Sequence, residues 1–149
     1  MEFLVLLAIL CVVALLFIRR NRERAVNPSL RREIEAQVRF ETVPRRVFEL
    51  RPYGLWGTRS MWNQVRGPKR LIVGTDAFIV SVPQALEEWA LNGRESSIAL
   101  TQMRFGPAGR DWIVITGQAG SRQVQLAVLP DNLPDAWNAL AGTGAALVP

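Results

Sequence analysis

The chain has 149 residues, no histidine and a single cysteine, Cys11, which lies in an apolar run. Zinc sites built on imidazole or thiolate ligands, and nucleophiles activated by histidine, are therefore nearly excluded. The formal net charge is +5, and the composition predicts a non-enzymatic protein with no catalytic residue, no metal and no cofactor.

The N-terminus is a run of apolar residues, Phe3 to Ile18, that leads directly into arginines. Residues 1–20 are therefore predicted to form a transmembrane helix, a single-pass anchor in the inner (plasma) membrane. A dense arginine cluster stays on the cytoplasmic side, which predicts an N-terminus outside and a cytoplasmic domain. Glu2, where a signal peptide would carry basic residues, argues against cleavage. The flanking cluster comprises Arg19, Arg20, Arg22 and Arg24.

Residues 21–44 form a basic juxtamembrane segment with a short predicted helix. Asn27 is a suitable N-cap and Pro28 a suitable first helical residue. Leu30, Ile34 and Val38 recur every four residues and form a narrow apolar stripe. The stripe either packs on the following domain as a spacer or contacts a membrane partner or a second copy.

After Pro44 the pattern changes to short β-prone runs separated by turn residues. The runs at 70–73 and 77–82 are apolar on both faces, which predicts a central hairpin. Residues 83–93 contain helix formers between Pro83 and Gly93 and predict a short helix, although Asn92-Gly93 is also a strong hairpin turn. The remaining predicted strands cover 46–51, 58–65, 97–105, 111–116 and 122–129.

The C-terminal region predicts one amphipathic helix that caps the sheet. Asp131 or Asn132 supplies the N-cap, and Gly142 ends the helix. Residues 143–149 are expected to be a loose tail. The core-facing stripe of the helix consists of Leu133, Trp137, Leu140 and Ala141.

The order of these elements resembles that of pleckstrin-homology-like (PH-like) or GRAM-like domains over residues 45–142. The resemblance rests on six to seven antiparallel strands, a final helix, and the run Lys69 to Val80. It implies an α+β fold that is mainly antiparallel β, a PH-like two-sheet barrel capped by the C-terminal helix. The whole layout also resembles small actinobacterial proteins that join one N-terminal anchor to such a domain, a group largely without assigned chemistry.

A basic segment, residues 45–70, carries seven basic residues against one acid, Glu49. In phosphoinositide-binding PH-like domains, basic residues beside the first loop hold the ligand phosphates. Here Tyr53, Leu55 and Trp56 make that loop apolar, so an aromatic loop in the headgroup layer and a covered core edge are both open readings. The candidate lipid or partner residues are Arg45, Arg46, Arg51, Arg59, Arg66, Lys69, Arg70 and Trp56.

These features predict a membrane-anchored interaction or scaffold module on the cytoplasmic face. We expect it to be an accessory component of a membrane protein complex. The alternative is binding of anionic lipid headgroups by the basic segment. The predicted partners are the membrane and other membrane proteins or further copies of the chain. Nucleic acid is disfavoured, because the aromatic residues form no stacking platform among the arginines.

Overall fold

The computed structural model describes residues 2–24, 28–53, 59–82, 87–105, 110–119 and 122–149. It contains two β-sheets and three α-helices within those ranges. The helices are α1 (Glu2–Arg24), α2 (Pro28–Ala36) and α3 (Leu133–Ala141). The strands are β1 (Phe40–Thr42), β2 (Arg46–Tyr53), β3 (Arg59–Gln64), β4 (Arg70–Val73), β5 (Ala77–Val82), β6 (Glu87–Asn92), β7 (Ala99–Phe105), β8 (Arg110–Ala119), β9 (Arg122–Leu129) and β10 (Ala146–Val148).

The two sheets are almost entirely antiparallel. The smaller sheet has the order β1-β4-β5-β6, and the larger has the order β10-β7-β8-β9-β2-β3. Among the described strands, only β10 and β7 pair in parallel. The main core lies between the sheets and takes buried side chains from both, such as Phe78 and Ile113.

The predicted hairpin of β4 and β5 is confirmed, with the expected strand bounds. Every residue of β5 is buried, because its two faces pack against different clusters. Phe78 and Val80 face the main core, whereas Ala77 and Ile79 face a second cluster under α2. A strand that is buried on both faces needs neighbours on both sides, and β5 has β4 and β6.

Helix α3 closes the main core, and its predicted cap is present. The side chain of Asn132 accepts a hydrogen bond from the Asp135 N–H at 3.3 Å, and the Gly142 N–H donates to the Asn138 carbonyl at 3.0 Å. Ala136 and Leu140 are the buried residues of the helix. The predicted stripe is partly corrected, because its centre is Ala136 and Leu140, with Leu133 and Trp137 only partly buried beside them.

The predicted transmembrane anchor is wrong. Residues 2–24 do form a helix, but across the described ranges no helix is both long enough and apolar enough to span a bilayer. The apolar run Phe3 to Ile18 rises only about 24 Å at ~1.5 Å per residue, against a hydrocarbon core of ~30 Å. The fold class is therefore corrected to two mainly antiparallel β-sheets with three helices, none of which, in the described residues, can span a membrane. The predicted single-pass inner-membrane location with a cytoplasmic domain is not supported.

The predicted helix over 83–93 is also wrong where the structure describes it, because Glu87–Asn92 forms β6. The whole of β6 pairs with β5, from Val82 opposite Glu87 to Ala77 opposite Asn92. Trp89 and Leu91 point into the main core. The pairing with β5 outweighs the helix-forming preference of the segment.

Together with β6, two further unpredicted strands raise the number of strands from the expected six to seven to ten among the described residues. Strand β1 lies where no strand was predicted, and β8 continues to Ala119, beyond the predicted end of that strand at residue 116. The expected tail instead adds β10 to the edge of β7, with Ala146 opposite Ala99.

Candidate functional site

The basic segment occupies one side of the larger sheet and the turn that leaves it. Arg46 and Arg51 lie on β2, and Arg59 begins β3. Arg66 lies in the turn that leads to β4, and Arg70 is the first residue of β4 in the smaller sheet. Trp56 lies outside the described residues. The described candidate binding residues therefore lie on or beside β2 and β3, apart from those near β4, where the chain crosses to the smaller sheet.

Two arginines of the segment are neutralised by acids that are distant in the sequence. Arg45 forms an ion pair with Asp131, just before α3. The Nε of Arg70 donates to Oε1 of Glu41 on β1 at 2.9 Å. Both pairs are exposed, so each contributes only about 0–1 kcal/mol to stability. Their more important effect is to cancel two positive charges of the segment.

Arg51 is neutralised by a buried acid. The carboxylate of Glu49, whose side chain is 1% exposed, accepts a hydrogen bond from Nε of Arg51, which is partly buried. The two residues are two positions apart on β2, so their side chains share one face of the strand. Removing the arginine would leave a buried carboxylate without this partner, at a cost of several kcal/mol. This pair therefore has a structural role.

The turn between β3 and β4 engages the only lysine of the segment. Lys69 Nζ donates to the Gly67 carbonyl at 2.8 Å. Gly67 has a φ of 112°, in the region that favours glycine. Arg66, next to it, is exposed. The lysine thus stabilises a local turn, whereas the Arg66 side chain is exposed.

Three arginines of the segment remain exposed and, within the described part of the chain, form no ion pair. We call Arg46, Arg59 and Arg66 the open arginines. Arg59 and Arg66 flank β3, and Arg46 begins the neighbouring β2. The segment of net charge +6 therefore leaves three exposed arginines around β2 and β3, with Arg59 at one end of β3 and Arg66 beyond the other end.

An aromatic cluster covers the outer face of the larger sheet, on the side away from the main core. The rings of Phe48 and Trp112 meet edge to face, with their centroids 5.3 Å apart. Trp62 on β3 packs on the same cluster, which includes the buried Val114 and Ala127. These aromatic side chains form a third apolar cluster, and Trp62 covers its edge.

The predicted partner stripe is divided by the structure. Ile34 is buried against Ile72 and Ile79 on the outer face of the smaller sheet. Val38 follows the end of α2 and is 44% exposed. The side chain of Leu30 lies outside the described part. Ile34 therefore fixes α2 to the sheet, as the spacer interpretation expects.

A polar contact accompanies this packing. Arg31 on α2 approaches Glu35 at 2.8 Å and Glu88 on β6 at 3.3 Å. The Glu88 side chain is only 19% exposed. Burial raises the pKa of Glu88 above its ordinary value, and the nearby charge of Arg31 opposes that shift. No sequence pattern predicts that Glu88 meets α2, because the contact joins residues 57 positions apart.

Helix α1 is the other conspicuous surface. Its large apolar side chains between Phe3 and Phe17 are 49–76% exposed. A shallow groove of about 470 Å³ on this helix is lined by residues such as Leu4, Ala8 and Val12. The four predicted flanking arginines occupy the last turns of the same helix. The long exposed apolar surface and the open arginines are thus separate features.

The acids of the described residues do not assemble a metal site. Across those residues, no group of three or more cysteine, aspartate and glutamate side chains is arranged to hold a metal ion. Asp76 instead pairs with Arg94 at 2.8 Å, and Asp111 pairs with Arg104 at 2.7 Å. These carboxylates are engaged in surface ion pairs.

Comparisons with known proteins add no relative. No family model matches the chain, and no curated protein matches its sequence. The resemblance to PH-like and GRAM-like domains, and to actinobacterial proteins, therefore remains a prediction from the sequence.

Proposed function

We propose that this protein is a non-enzymatic interaction module that binds an acidic segment of a partner protein at the open arginines. The observation that carries the proposal is the division of the basic segment. Four of its seven basic residues are engaged within the fold, and Arg46, Arg59 and Arg66 are left for a partner.

The charge distribution supports an acidic partner. Residues 71–149 carry four arginines against seven acids, so the positive surface at β2 and β3 belongs to a chain whose later part is negative. A local positive surface of this kind favours encounter with negative partners and disfavours basic ones. Because the open arginines are exposed, their contribution should weaken as the salt concentration rises.

The test uses the full chain and a fluorescent peptide of glutamate alternating with glycine and serine. The double variant Arg59→Glu with Arg66→Glu should bind this peptide at least about tenfold more weakly than the unchanged chain, because two attractive charges become repulsive. Arg110→Glu is the matched control for each single variant, Arg59→Glu and Arg66→Glu, because each of the three changes the net charge by the same amount. Arg110 is exposed, forms no ion pair among the described residues, and begins a strand elsewhere in the sheet.

The measurement is fluorescence anisotropy at low and at physiological salt. Equal weakening by Arg110→Glu would show a response to net charge alone and would contradict the proposal. Undiminished binding of the double variant would contradict it as well.

Binding of anionic headgroups is the second proposal, and the same exposed arginines favour it. Each basic residue near an anionic surface is worth about 1 kcal/mol, so three residues support only weak binding. Flotation of the full chain with phosphatidylserine vesicles tests it. A loss of flotation in the Arg59→Glu, Arg66→Glu variant, together with absent peptide binding, would favour lipid over protein.

A further inference from the structure

Strand β3 is the terminal strand of the larger sheet. It pairs with β2 over its whole length, from Arg59 opposite Tyr53 to Gln64 opposite Phe48. On its other side, no described strand is paired with it. A terminal strand leaves a row of backbone donors and acceptors to which another chain can add.

The hydrogen-bond pattern identifies the backbone groups that face the open side. The Val65 N–H donates to the Val47 carbonyl at 2.9 Å, immediately beyond β3. In an antiparallel pair, alternate residues bond to the neighbour, so residues 59, 61 and 63 face β2. Pro52, which has no N–H, lies opposite Ser60 and fits this register. The backbone groups of Ser60 and Gln64 therefore point away from β2.

The side chains of β3 do not protect this edge in the usual way. Natural edge strands are commonly blocked by charges or prolines along their length, or are very short. Between Arg59 and Gln64 the strand has neither charge nor proline. The terminal strands β1 and β10 have only three residues each, and β6 carries Glu87 and Glu88. Among the described edges, β3 is thus the long one with an uncharged centre.

The charges lie at the two ends of the strand. Arg59 is its first residue, and Arg66 follows two positions after its last, and both are exposed. Arg66 lies seven positions after Arg59, which corresponds to about 24 Å of extended chain at ~3.4 Å per residue. An added strand of similar length would place a residue near each arginine. Charge complementarity therefore predicts an acidic residue at each end of the added segment.

We propose that β3 binds its partner by strand addition. The occupant is an extended segment of about eight residues whose acidic ends meet Arg59 and Arg66, while its backbone bonds to the open edge at Ser60 and Gln64. This binding mode rests on the proposed function and specifies its geometry. Main-chain hydrogen bonds supply affinity in such complexes, and the flanking charges supply selectivity.

The test compares synthetic eight-residue peptides against the full chain. The first alternates valine and threonine and carries glutamate at both ends. The second has the same charges but a central proline, which prevents pairing as a strand. The third carries lysine in place of glutamate. The first peptide should bind at least about tenfold more tightly than the other two, since only it offers both the edge hydrogen bonds and the charges.

The variant Ser60→Pro tests the edge from the side of the protein. Its proline removes a donor that faces the open side, so the β2–β3 hydrogen bonds stay in place. It should weaken the first peptide at least about tenfold and leave the glutamate-glycine-serine peptide unaffected. Gln64→Pro is a second variant of the same design. If both variants unfold, a peptide N-methylated at alternate amides makes the same comparison with the unchanged protein.

The outcomes separate this inference from the proposed function. Equal binding of the strand-forming and proline peptides would overturn strand addition. If Ser60→Pro binds the first peptide normally and the Arg59→Glu, Arg66→Glu variant does not, strand addition fails and the interaction module stands. If the charge reversal also has no effect, both proposals fail.

Discussion

Gly117 lies at one of the tightest contacts in the protein. A Cβ added to this residue on β8 would lie 2.2 Å from Cδ1 of Ile98 and 3.4 Å from Cδ2 of Leu91. Ile98 is fully buried, so its side chain has little room to move. A glycine inside a strand commonly marks such an approach. Here it allows Ile98 to pack against the backbone of β8.

We expect Gly117→Ala to lower the free energy of unfolding by about 1–3 kcal/mol, because the new methyl group overpacks the core. Ile98→Val removes the atom in the shortest contact and by itself should cost about 0.5–1.5 kcal/mol. The double variant should lose clearly less than the two single losses together. Urea unfolding of the four proteins measures this coupling, and additive losses would show that the contact with Ile98 is not the cause.

At the level of elements, α2 is held on the smaller sheet by one apolar and one polar contact. Ile34 fills the apolar contact, and Arg31 with Glu88 forms the polar one. Burial disfavours the charged form of Glu88 and therefore raises its pKa. The docking of α2 should therefore depend on pH.

The sign of this dependence follows from the raised pKa of Glu88. The folded state binds the proton more tightly than the unfolded state does, so the contribution of Glu88 is largest below the ordinary glutamate pKa of about 4.3 and is lost as the pH rises through the folded-state value. Glu88→Gln should remove this loss. The stability of the unchanged protein relative to Glu88→Gln should thus fall as the pH is raised above about 4.3.

Thermal unfolding across this pH range measures the difference. Arg31→Met is the companion variant, because Arg31 lowers the pKa of Glu88 and its removal should enlarge the fall. Parallel pH profiles for the unchanged protein and Glu88→Gln would contradict the assignment.

For the whole molecule, the most unusual feature is the exposed apolar surface of α1. Large apolar side chains are exposed along the helix, among them Leu6 at 60% and Leu10 at 58%. Contiguous exposed apolar surfaces favour association. The β-sheets have their own core between them, to which α3 contributes. Association through α1 and folding of the sheets should therefore respond to different substitutions.

We expect the full-length variant Leu6→Glu with Leu10→Lys to associate less than the unchanged chain, with the same unfolding midpoint. The new charges are four residues apart on one helix face, so they interrupt the apolar surface and support the helix. Light scattering measures the association, and near-ultraviolet circular dichroism follows unfolding. A shift of the midpoint would show that these residues contribute to the fold instead.

The local parts of the fold were the predictable ones. The bounds of β4, β5 and β9, and the cap of α3 at Asn132, follow from the apolar pattern of each run and from turn and capping residues beside it. The errors arose where distant contacts decide the outcome. Residues 87–92 have helix-forming side chains but pair with β5, and residues 146–148 form a strand only because β7 offers an edge.

The candidate site divides in the same way. The strongly basic character of residues 45–70 can be read from the sequence, because charge depends on composition alone. The helical, apolar character of residues 3–17 can be read from it as well. The tertiary structure decided which arginines are engaged, since Asp131 and Glu41 reach Arg45 and Arg70 only after folding. It likewise decided that β3 is an edge, because strand order is a property of the assembled sheet and of no single segment.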